Sequence, residues 1–355
     1  MKLDGSLILL TGALGWAGRG FLNAIFHGLP DCDPFRKPLN CRLRCFVEPG
    51  QDLSVMGGSS REVENIVGDL RDPSDCDRFC AGARDAVLFH VAGVVHPRNV
   101  AEFYSVNVDG TKNLLAAAAR AGVRRVVAVS SNSPCGYNTS EGHFFDEEIP
   151  YRPYRHYGRS KMEMEKVVRS FYDAGRMETV IIRPAWFYGP RQPPRQTLFF
   201  RMIQKGLVPL IGNGLNLRSM TYIDNLCQGL LLAADSPHAA GQTFWIVDER
   251  AYRMEEIIST VERLLENEFH VACEHRRIRL PGVVADMAGV LDAAFQSFGF
   301  YNQKIHVLSE MNKTIACSMR KAREVLGYRP TIALEEGMRR SLAWVFQAQG
   351  KRKLL

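Results

Sequence analysis

The chain has 355 residues, of which 46% are hydrophobic and 23% charged, so it can bury a large core and has the composition of a globular protein. Its formal net charge of +7 is spread along the sequence, which suits a phosphate-bearing ligand and argues against a nucleic-acid-binding surface. The sequence contains no apolar run of 18 residues that would span a membrane, and residues 1–5 do not resemble a signal peptide.

The nine cysteines form no CxxC pair, and no histidine lies at zinc-finger spacing from them. This pattern predicts free thiols in a reducing cytoplasm and no metal site.

The first predicted element is a buried parallel strand over residues 7–10, which leads through a glycine-rich turn into a helix. A strand, a glycine turn and a helix in this order aim free backbone N–H groups at an anion. Gly12 permits the tight turn, Gly15 lets a diphosphate approach the backbone, and Gly18 lets helix and strand pack closely. We therefore predict a dinucleotide site that includes Gly12, Leu14, Gly15, Trp16 and Gly18; the alternative is a turn without a ligand.

The second strand, predicted over residues 43–47, is delayed by a proline-containing segment. In a dinucleotide-binding fold an acidic residue at the end of this strand accepts hydrogen bonds from the adenosine ribose. Asp31 and Asp33 have the usual spacing from the glycines, but they precede the strand. Glu48 follows the strand directly, so we predict that Glu48 binds the ribose.

A carboxylate at position 48 would repel a 2′-phosphate, which favours NAD over NADP. NADP stays possible if Arg36, Lys37 or Arg44 folds back toward the ribose.

Further strands are predicted over residues 66–70, 87–93, 126–129, 179–182 and 244–247, and helices over residues 101–121, 157–174, 198–205, 225–234, 254–266 and 334–346. Strands that alternate with helix-length segments form right-handed crossovers. We therefore predict an α/β fold with a doubly wound parallel (Rossmann) sheet and a smaller C-terminal α/β substrate-binding region.

The predicted dinucleotide-binding domain covers residues 1–182, with residues 221–247 returning to it. The substrate-binding region covers residues 183–220 and 248–345, and residues 346–355 form a basic tail. The apolar stretch 280–300 is interpreted as helices that line a substrate pocket, with a membrane-surface contact as the alternative.

Tyr157 and Lys161 are four residues apart on a predicted helix, so their side chains share one face. A tyrosine that acts as a base near pH 7 needs its pKa lowered by about three units, and a lysine cation within about 4 Å supplies an effect of that size. Ser131 ends the preceding strand, at the sheet edge where ligands of this fold bind. We predict Ser131, Tyr157 and Lys161 as catalytic residues, with Ser133 as the rival of Ser131.

The sequence contains, in this order, the motifs Thr11-Gly12-x-x-Gly15-x-x-Gly18, Gly68-Asp69-Leu70, His90-Val91-Ala92-Gly93, Ser131, Tyr157-x-x-x-Lys161 and Arg183-Pro184-x-x-x-Tyr188-Gly189-Pro190. Their order resembles that of the extended short-chain dehydrogenase/reductase family, also described as NAD-dependent epimerase/dehydratases. The resemblance covers nearly the whole chain.

The resemblance implies that Asp69 and Leu70 hold the adenine and that Ala92 and Gly93 flank the cofactor. It implies that Tyr157 is the general acid/base, that Lys161 also holds the nicotinamide ribose, and that Ser131 orients the substrate. Pro184 and Ala185 belong to the same predicted cofactor site, and Asn107 is either a helix support or a catalytic residue.

The substrate site is predicted to include Ser133, Trp186, Tyr188, Arg191 and Arg218. His90 lies in an apolar strand, so we expect a core histidine with a hydrogen-bonded ring. Cys135 and Trp186 are expected to shape the pocket.

The reaction is predicted as simple hydride transfer between the nicotinamide and a secondary alcohol or ketone. Asn132 and Ser133 stand where the resembled dehydratases carry an Asp-Glu pair, which disfavours dehydration. The proline after Arg183 and the segments 211–217 and 221–225 are similar to the 3β-hydroxysteroid and sterol dehydrogenase branch.

A nucleotide-sugar epimerase is the alternative, since Arg191, Arg195 and Arg218 could bind a diphosphate. A non-catalytic NAD-binding protein is the lesser alternative. The family resemblance also implies a homodimer formed through the helices at 101–121 and 157–174.

Overall fold

The computed structural model describes residues 3–56, 63–139, 142–211 and 214–349. Gly212, Asn213 and residues 350–355 of the predicted basic tail lie outside this part of the chain, whereas residues 346–349 belong to the last helix.

The strands in the described ranges are β1 (Leu7–Thr11), β2 (Arg42–Val47), β3 (Val63–Val67), β4 (Val87–His90), β5 (Arg125–Val129), β6 (Glu178–Pro184), β7 (Trp186–Tyr188), β8 (Pro209–Ile211), β9 (Leu217–Arg218), β10 (Met220–Tyr222), β11 (Thr243–Ile246), β12 (Tyr252–Arg253) and β13 (Ile278–Leu280).

The α-helices there are α1 (Trp16–His27), α2 (Pro73–Cys80), α3 (Ala101–Tyr104), α4 (Thr111–Arg120), α5 (Arg155–Asp173), α6 (Pro194–Gln204), α7 (Ile223–Asp235), α8 (Met254–Asn267), α9 (Gly282–Ser297), α10 (Gln303–Glu310) and α11 (Leu334–Gln349). A 3₁₀ turn covers Leu53–Met56, and π-helical turns cover Ser105–Gly110 and Ala322–Leu326.

Seven strands form one parallel sheet in the order β3-β2-β1-β4-β5-β6-β11, which confirms the predicted doubly wound α/β fold. Every residue of β1, β4 and β5 is buried, because helices cover both faces of the sheet. The chain runs outward from β1 to β3 and then crosses back to β4. The carboxyl ends of β1 and β4 therefore border the crevice where ligands of such sheets bind.

Two strands end earlier than the sequence predicts. The strand expected over residues 66–70 is β3, which ends at Val67 because the amide of Asp69 turns to the carboxylate of Asp75 (2.9 Å). The strand expected over residues 87–93 is β4, which ends at His90. Beyond it the amide of Ala92 donates to the Thr11 hydroxyl (3.2 Å) and the chain leaves the sheet.

The helix predicted over residues 101–121 is α3 and α4 joined by the π-helical turn. Asn107 lies in this turn. Its side chain accepts a hydrogen bond from the Val94 amide (2.8 Å) and donates to the Val94 carbonyl oxygen (3.0 Å), which ties the turn to the loop after β4. These contacts support the structural interpretation of Asn107.

The apolar stretch 280–300 forms α9, which packs against α10 and the start of α5. Its buried residues are small or polar, whereas its large apolar residues are exposed. The interpretation of this stretch as pocket-lining helices is therefore wrong for its apolar face. Within the described residues, no helix is both long enough and apolar enough to span a bilayer.

Candidate active site

The glycine turn after β1 is packed against the loop that follows β4. Gly12 has a positive φ of 73°, and a Cβ at this position would lie 2.6 Å from the Ala92 nitrogen. A Cβ on Gly18 would collide with the Gly12 carbonyl oxygen. The close approach of helix and strand predicted from these glycines is thus present.

The start of α1 has the properties of an anion site. Gly15 is its extended N-cap, and in the described chain no side chain caps this end and no acidic residue lies in the first turn. A Cβ on Gly15 would meet only the Gly12 carbonyl oxygen, at 3.2 Å, so the outer side of the turn is open. Leu14 packs on the core, and the Trp16 indole donates to the Pro190 carbonyl oxygen (2.8 Å). The free backbone N–H groups and the open side of the turn suit a diphosphate.

The candidate adenosine residues lie at the ends of β2 and β3. Glu48 is exposed directly after β2. The Asp69 carboxylate accepts from the Arg71 guanidinium (2.9 and 3.0 Å), and this hydrogen bond is the main cause that lowers the pKa of Asp69. Leu70 is buried and its carbonyl oxygen accepts from Asn113 (3.1 Å). Leu70 thus packs in the core, while Glu48 and Asp69 are accessible.

His90 is a core residue, as expected. One ring nitrogen lies 2.8 Å from the Thr11 hydroxyl and the other 2.8 Å from the Thr111 hydroxyl. Burial and, to a smaller extent, the nearby Lys161 cation lower the pKa of His90 to about 3. The imidazole is therefore neutral near pH 7 and links β1, β4 and α4.

Ser131 and Ser133 lie together after the end of β5. Their hydroxyl oxygens are 3.2 Å apart and both residues are buried. The loop that carries them contacts the start of α5, where the Tyr154 amide donates to the Ser133 carbonyl oxygen (3.2 Å). Gly158 allows this approach, since a Cβ there would lie 2.5 Å from the same oxygen.

Lys161 lies on the inner face of α5 and is only 5% exposed. Its ammonium group donates to the Val129 carbonyl oxygen (2.8 Å) at the end of β5. A Cβ built on Gly93 would lie 3.4 Å from Nζ, so the lysine borders the loop assigned to the cofactor. Tyr157, one turn earlier on the same helix, is partly exposed.

The electrostatics of the pair differ from the expectation. Burial raises the pKa of Tyr157 to about 12, while the Ser131 side chain and the Arg195 charge lower it. Burial lowers the pKa of Lys161 to about 8. The spacing of the two residues predicts that Lys161 lowers the pKa of Tyr157, but in the protein without bound cofactor this pKa is raised. Desolvation of the phenolate is its largest cause.

Aromatic residues distant in sequence cover Tyr157. The Phe103 ring lies 5.7 Å from the Tyr157 ring and 5.4 Å from the Tyr301 ring. The Tyr301 hydroxyl lies 2.8 Å from Nδ1 of His96. Sequence analysis missed these residues because no local pattern relates positions 103, 157 and 301.

Three predicted substrate residues are engaged within the protein. Tyr188 is buried in the core, and its hydroxyl donates to Asp248 (2.5 Å). Arg191 donates to the Asn23 side chain (2.6 Å), and Arg218 donates to the Glu310 carbonyl oxygen. Tyr188 as a substrate residue is a wrong prediction, because this last residue of β7 is fully buried and its ring packs on Tyr222 of β10. The guanidinium groups of Arg191 and Arg218 are therefore already hydrogen-bonded within the protein.

The remaining predicted site residues lie at the end of β6. Pro184 is its last residue, and the Ala185 amide donates to the Thr221 hydroxyl (3.0 Å). Trp186 begins β7 and packs edge-to-face on Phe199, with ring centroids 5.4 Å apart. Cys135 is buried in the core.

Comparisons with known proteins agree with this architecture. A model of the NAD dependent epimerase/dehydratase family matches residues 8–246. The dTDP-glucose 4,6-dehydratase DesIV from Streptomyces venezuelae, solved with NAD and TYD bound, superposes with a TM-score of 0.74 at 22% identity. The match covers 98% of this chain and 100% of that one, and shows the shared fold.

Proteins of similar sequence include enzymes that are named for different reactions. A Sinorhizobium fredii protein described as uncharacterized protein y4nL is 51% identical over 345 residues, covering 97% of this chain and 96% of its own. The UDP-glucose 4-epimerase of Vibrio cholerae is 28% identical and covers 97% of both chains. A 3 beta-hydroxysteroid dehydrogenase/Delta 5→4-isomerase of Mycobacterium tuberculosis is 30% identical, covering 80% of this chain and 79% of its own. The chain is therefore an NAD-dependent enzyme that belongs to the NAD dependent epimerase/dehydratase family of extended short-chain dehydrogenases/reductases.

Proposed function

We propose that the chain transfers a hydride between NAD and a secondary alcohol or its ketone, with Tyr157 as general acid/base. The observation that carries this proposal is the position of Ser131, Tyr157 and Lys161. They lie at the carboxyl ends of β5 and the start of α5, beside the glycine turn and Gly93. Bound NAD supplies the hydride acceptor and, in its oxidised form, a positive charge.

Each residue has a role that its surroundings support. A phenol with a pKa of about 12 is protonated at pH 7, so Tyr157 can donate a proton to a ketone oxygen as that oxygen gains negative charge. In the oxidative direction, Tyr157 needs a neighbouring positive charge to act as a base. Ser131 and Ser133 offer hydroxyl groups that would orient the reacting oxygen, and Lys161, whose ammonium group donates to Val129 and borders Gly93, would hold the nicotinamide ribose.

NAD is favoured over NADP by Glu48 and by the positions of the nearby cations. Arg44 pairs with Glu64 (2.7 Å) and donates to two carbonyl oxygens near α2, and Arg36 pairs with Asp33 (3.1 Å). Both guanidinium groups therefore already have a carboxylate partner, whereas Lys37, the third candidate cation, is exposed.

Two of the three arginines that could bind a diphosphate, Arg191 and Arg218, have partners within the fold, which favours simple dehydrogenation over sugar-nucleotide epimerisation. The third, Arg195, acts on Tyr157 by its charge and supports the alternative. The epimerase alternative is supported by the Vibrio cholerae relative, which matches over nearly its full length. Mass spectrometry of co-purified ligands, with titrations of UDP and of a 3β-hydroxysteroid, distinguishes the two. Binding of UDP but not of the steroid would favour the epimerase.

Replacing the catalytic tyrosine tests the assignment directly. In Tyr157→Phe we expect NADH formation from a panel of secondary alcohols and 3β-hydroxysteroids to fall by at least about 100-fold, because the proton acceptor is lost. NAD affinity, measured by fluorescence titration, should stay within a few-fold of the wild type. A variant that keeps most of its activity would remove Tyr157 from the chemistry.

The lesser alternative, a non-catalytic NAD-binding protein, has its own signature. Such a protein would bind NAD but turn over no alcohol, ketone or nucleotide sugar from the panel. The presence of both Tyr157 and Lys161 supports catalysis.

We also propose that the enzyme is a cytoplasmic homodimer acting on a small molecule. All nine cysteines, which lie in described parts of the chain, are free, as expected in a reducing compartment. The dimer would form through α4 and α5, whose outer residues Lys112, Arg120, Lys166 and Arg169 are exposed.

A further inference from the structure

The side of α9 that faces away from the protein carries an unusual set of side chains. Six large apolar residues at helical spacing, called here the outer face of α9, are exposed: Val283, Met287, Val290, Leu291, Phe295 and Phe298. Val290 is 70% exposed and Phe298 79%. Phe300 follows directly and is also exposed. A contiguous apolar surface of this kind marks an interaction site.

The opposite side of α9 is occupied by contacts within the protein. Asp292 is buried and accepts hydrogen bonds from Gln296 (2.9 Å) and His306 (2.9 Å). The Gln296 side chain accepts from the His156 amide (3.2 Å), and the Gly289 carbonyl oxygen accepts from Arg155. The helix therefore cannot rotate its apolar residues inward without breaking this buried polar network.

The charges around the outer face favour an anionic partner. Arg279 precedes α9, Lys304 is the second residue of α10, and Arg98 lies next to Asn99, which bridges to Phe300. All three are exposed, and within the described chain none of their side chains forms an ion pair. The Glu102 carboxylate accepts from the Arg98 amide (3.3 Å). The exposed carboxylate of Asp286, at the edge of the face, is paired with Lys313 (3.1 Å).

The length of α9 suits a bilayer surface. A helix of 16 residues is about 24 Å long. The same helix is too short to span a hydrocarbon core of about 30 Å, but its length suits a helix that lies in the plane of a bilayer surface.

We propose that the outer face of α9 docks on the surface of an anionic lipid bilayer. The apolar side chains enter the boundary between headgroups and acyl chains, while Arg98, Arg279 and Lys304 contact lipid phosphates. The proposal is independent of the reaction that the enzyme catalyses, since it concerns binding alone.

Vesicle flotation tests the proposal with the full chain. The wild type is expected to float with vesicles of phosphatidylcholine and phosphatidylglycerol, and to bind vesicles of phosphatidylcholine alone at least about five-fold more weakly. Val290→Ser/Phe298→Ser should lower the affinity for the mixed vesicles by at least about ten-fold, because two apolar side chains that enter the bilayer are lost. Arg279→Gln/Lys304→Gln should remove most of the preference for anionic lipid.

The matched control is Leu53→Ser/Val67→Ser, which removes two exposed apolar side chains elsewhere and should float like the wild type. Thermal unfolding of each variant verifies that it is folded. If the wild type does not float with the mixed vesicles even at low ionic strength, the proposal is overturned. Flotation of Val290→Ser/Phe298→Ser to the same extent as the control variant would also overturn it. If no form binds vesicles and Val290→Ser/Phe298→Ser converts a dimer into a monomer in sedimentation, the outer face of α9 is instead an interface between copies of the chain.

Discussion

His90 shows how a single buried side chain can make stability depend on pH. Its two ring nitrogens lie within hydrogen-bond distance of Thr11 and Thr111, and burial lowers its pKa from 6.5 to about 3. His90 therefore becomes protonated near pH 6.5 in the unfolded chain, but only near pH 3 in the folded chain. The stability due to neutral His90 is complete above pH 6.5 and is lost as the pH falls through this window.

We expect His90→Gln, which does not titrate, to change this dependence. Between pH 6.5 and 5 the free energy of unfolding of the wild type should fall by about 2 kcal/mol more than that of the variant. Urea denaturation at a series of pH values measures the difference. His238→Gln, at an exposed histidine, is the control and should follow the wild type. Parallel curves for wild type and His90→Gln would contradict the prediction.

Glu48 is expected to set the cofactor preference. In Glu48→Ala the ratio of NADP to NAD affinity should rise by about ten-fold, since a like charge beside the 2′-phosphate is removed. Fluorescence titration with both cofactors measures it. Asp173→Ala removes an exposed carboxylate at the C-terminal end of α5, away from the ribose, and should leave the ratio unchanged. A wild type that already prefers NADP would disprove the role of Glu48.

At the residue scale, the sequence predicted the identity of the candidate catalytic groups but not the sign of their electrostatics. The spacing of Tyr157 and Lys161 places both on one turn of α5. Whether the tyrosine pKa rises or falls depends on how much solvent its surroundings exclude, and these include Phe103 and Tyr301 from distant elements.

At the scale of elements, two glycines of the turn after β1, Gly15 and Gly18, have different functions. A Cβ on Gly18 would overlap the Gly12 carbonyl oxygen and two Ala13 backbone atoms, whereas a Cβ on Gly15 would only approach the same oxygen, at 3.2 Å, and otherwise meet open space. Gly18 is needed for α1 to pack on β1, and Gly15 for a ligand to reach the backbone.

The two substitutions should therefore have different effects. Gly18→Ala is expected to lower the free energy of unfolding by about 2 kcal/mol or more, because the new methyl group overlaps backbone atoms. Gly15→Ala should change stability by less than about 1 kcal/mol but weaken NAD binding by at least about ten-fold. Urea denaturation and fluorescence titration on the two variants measure these outcomes. Equal stability of Gly18→Ala and Gly15→Ala would show that the packing argument fails.

The element that sequence analysis misjudged is α9. Its composition correctly predicted a helix, yet an apolar composition does not tell which neighbour covers it. The hydrogen bonds of Asp292 to His306 of α10 and of Gln296 to the distant His156 of α5 decide the orientation, and no local pattern reveals them.

At the scale of the whole molecule, the oligomeric state is open to a simple test. If α4 and α5 form the dimer, Met162→Glu on the outside of α5 should convert a dimer into a monomer in sedimentation velocity, since it places buried charges in a helix interface. Met287→Glu, on the outer face of α9, should remain dimeric. A monomeric wild type, or dissociation by Met287→Glu, would reject this dimer.

The sequence by itself determined the parallel sheet, the glycine turn and the order of the motifs, because strand and helix periodicity and glycine spacing are local properties of the chain. Only the tertiary structure decided that Tyr188 belongs to the core, that Arg191 and Arg218 are engaged by Asn23 and the Glu310 carbonyl, and that the apolar side of α9 faces outward. Each of these outcomes depends on partners tens to hundreds of residues away, and such contacts exist only once the chain has folded.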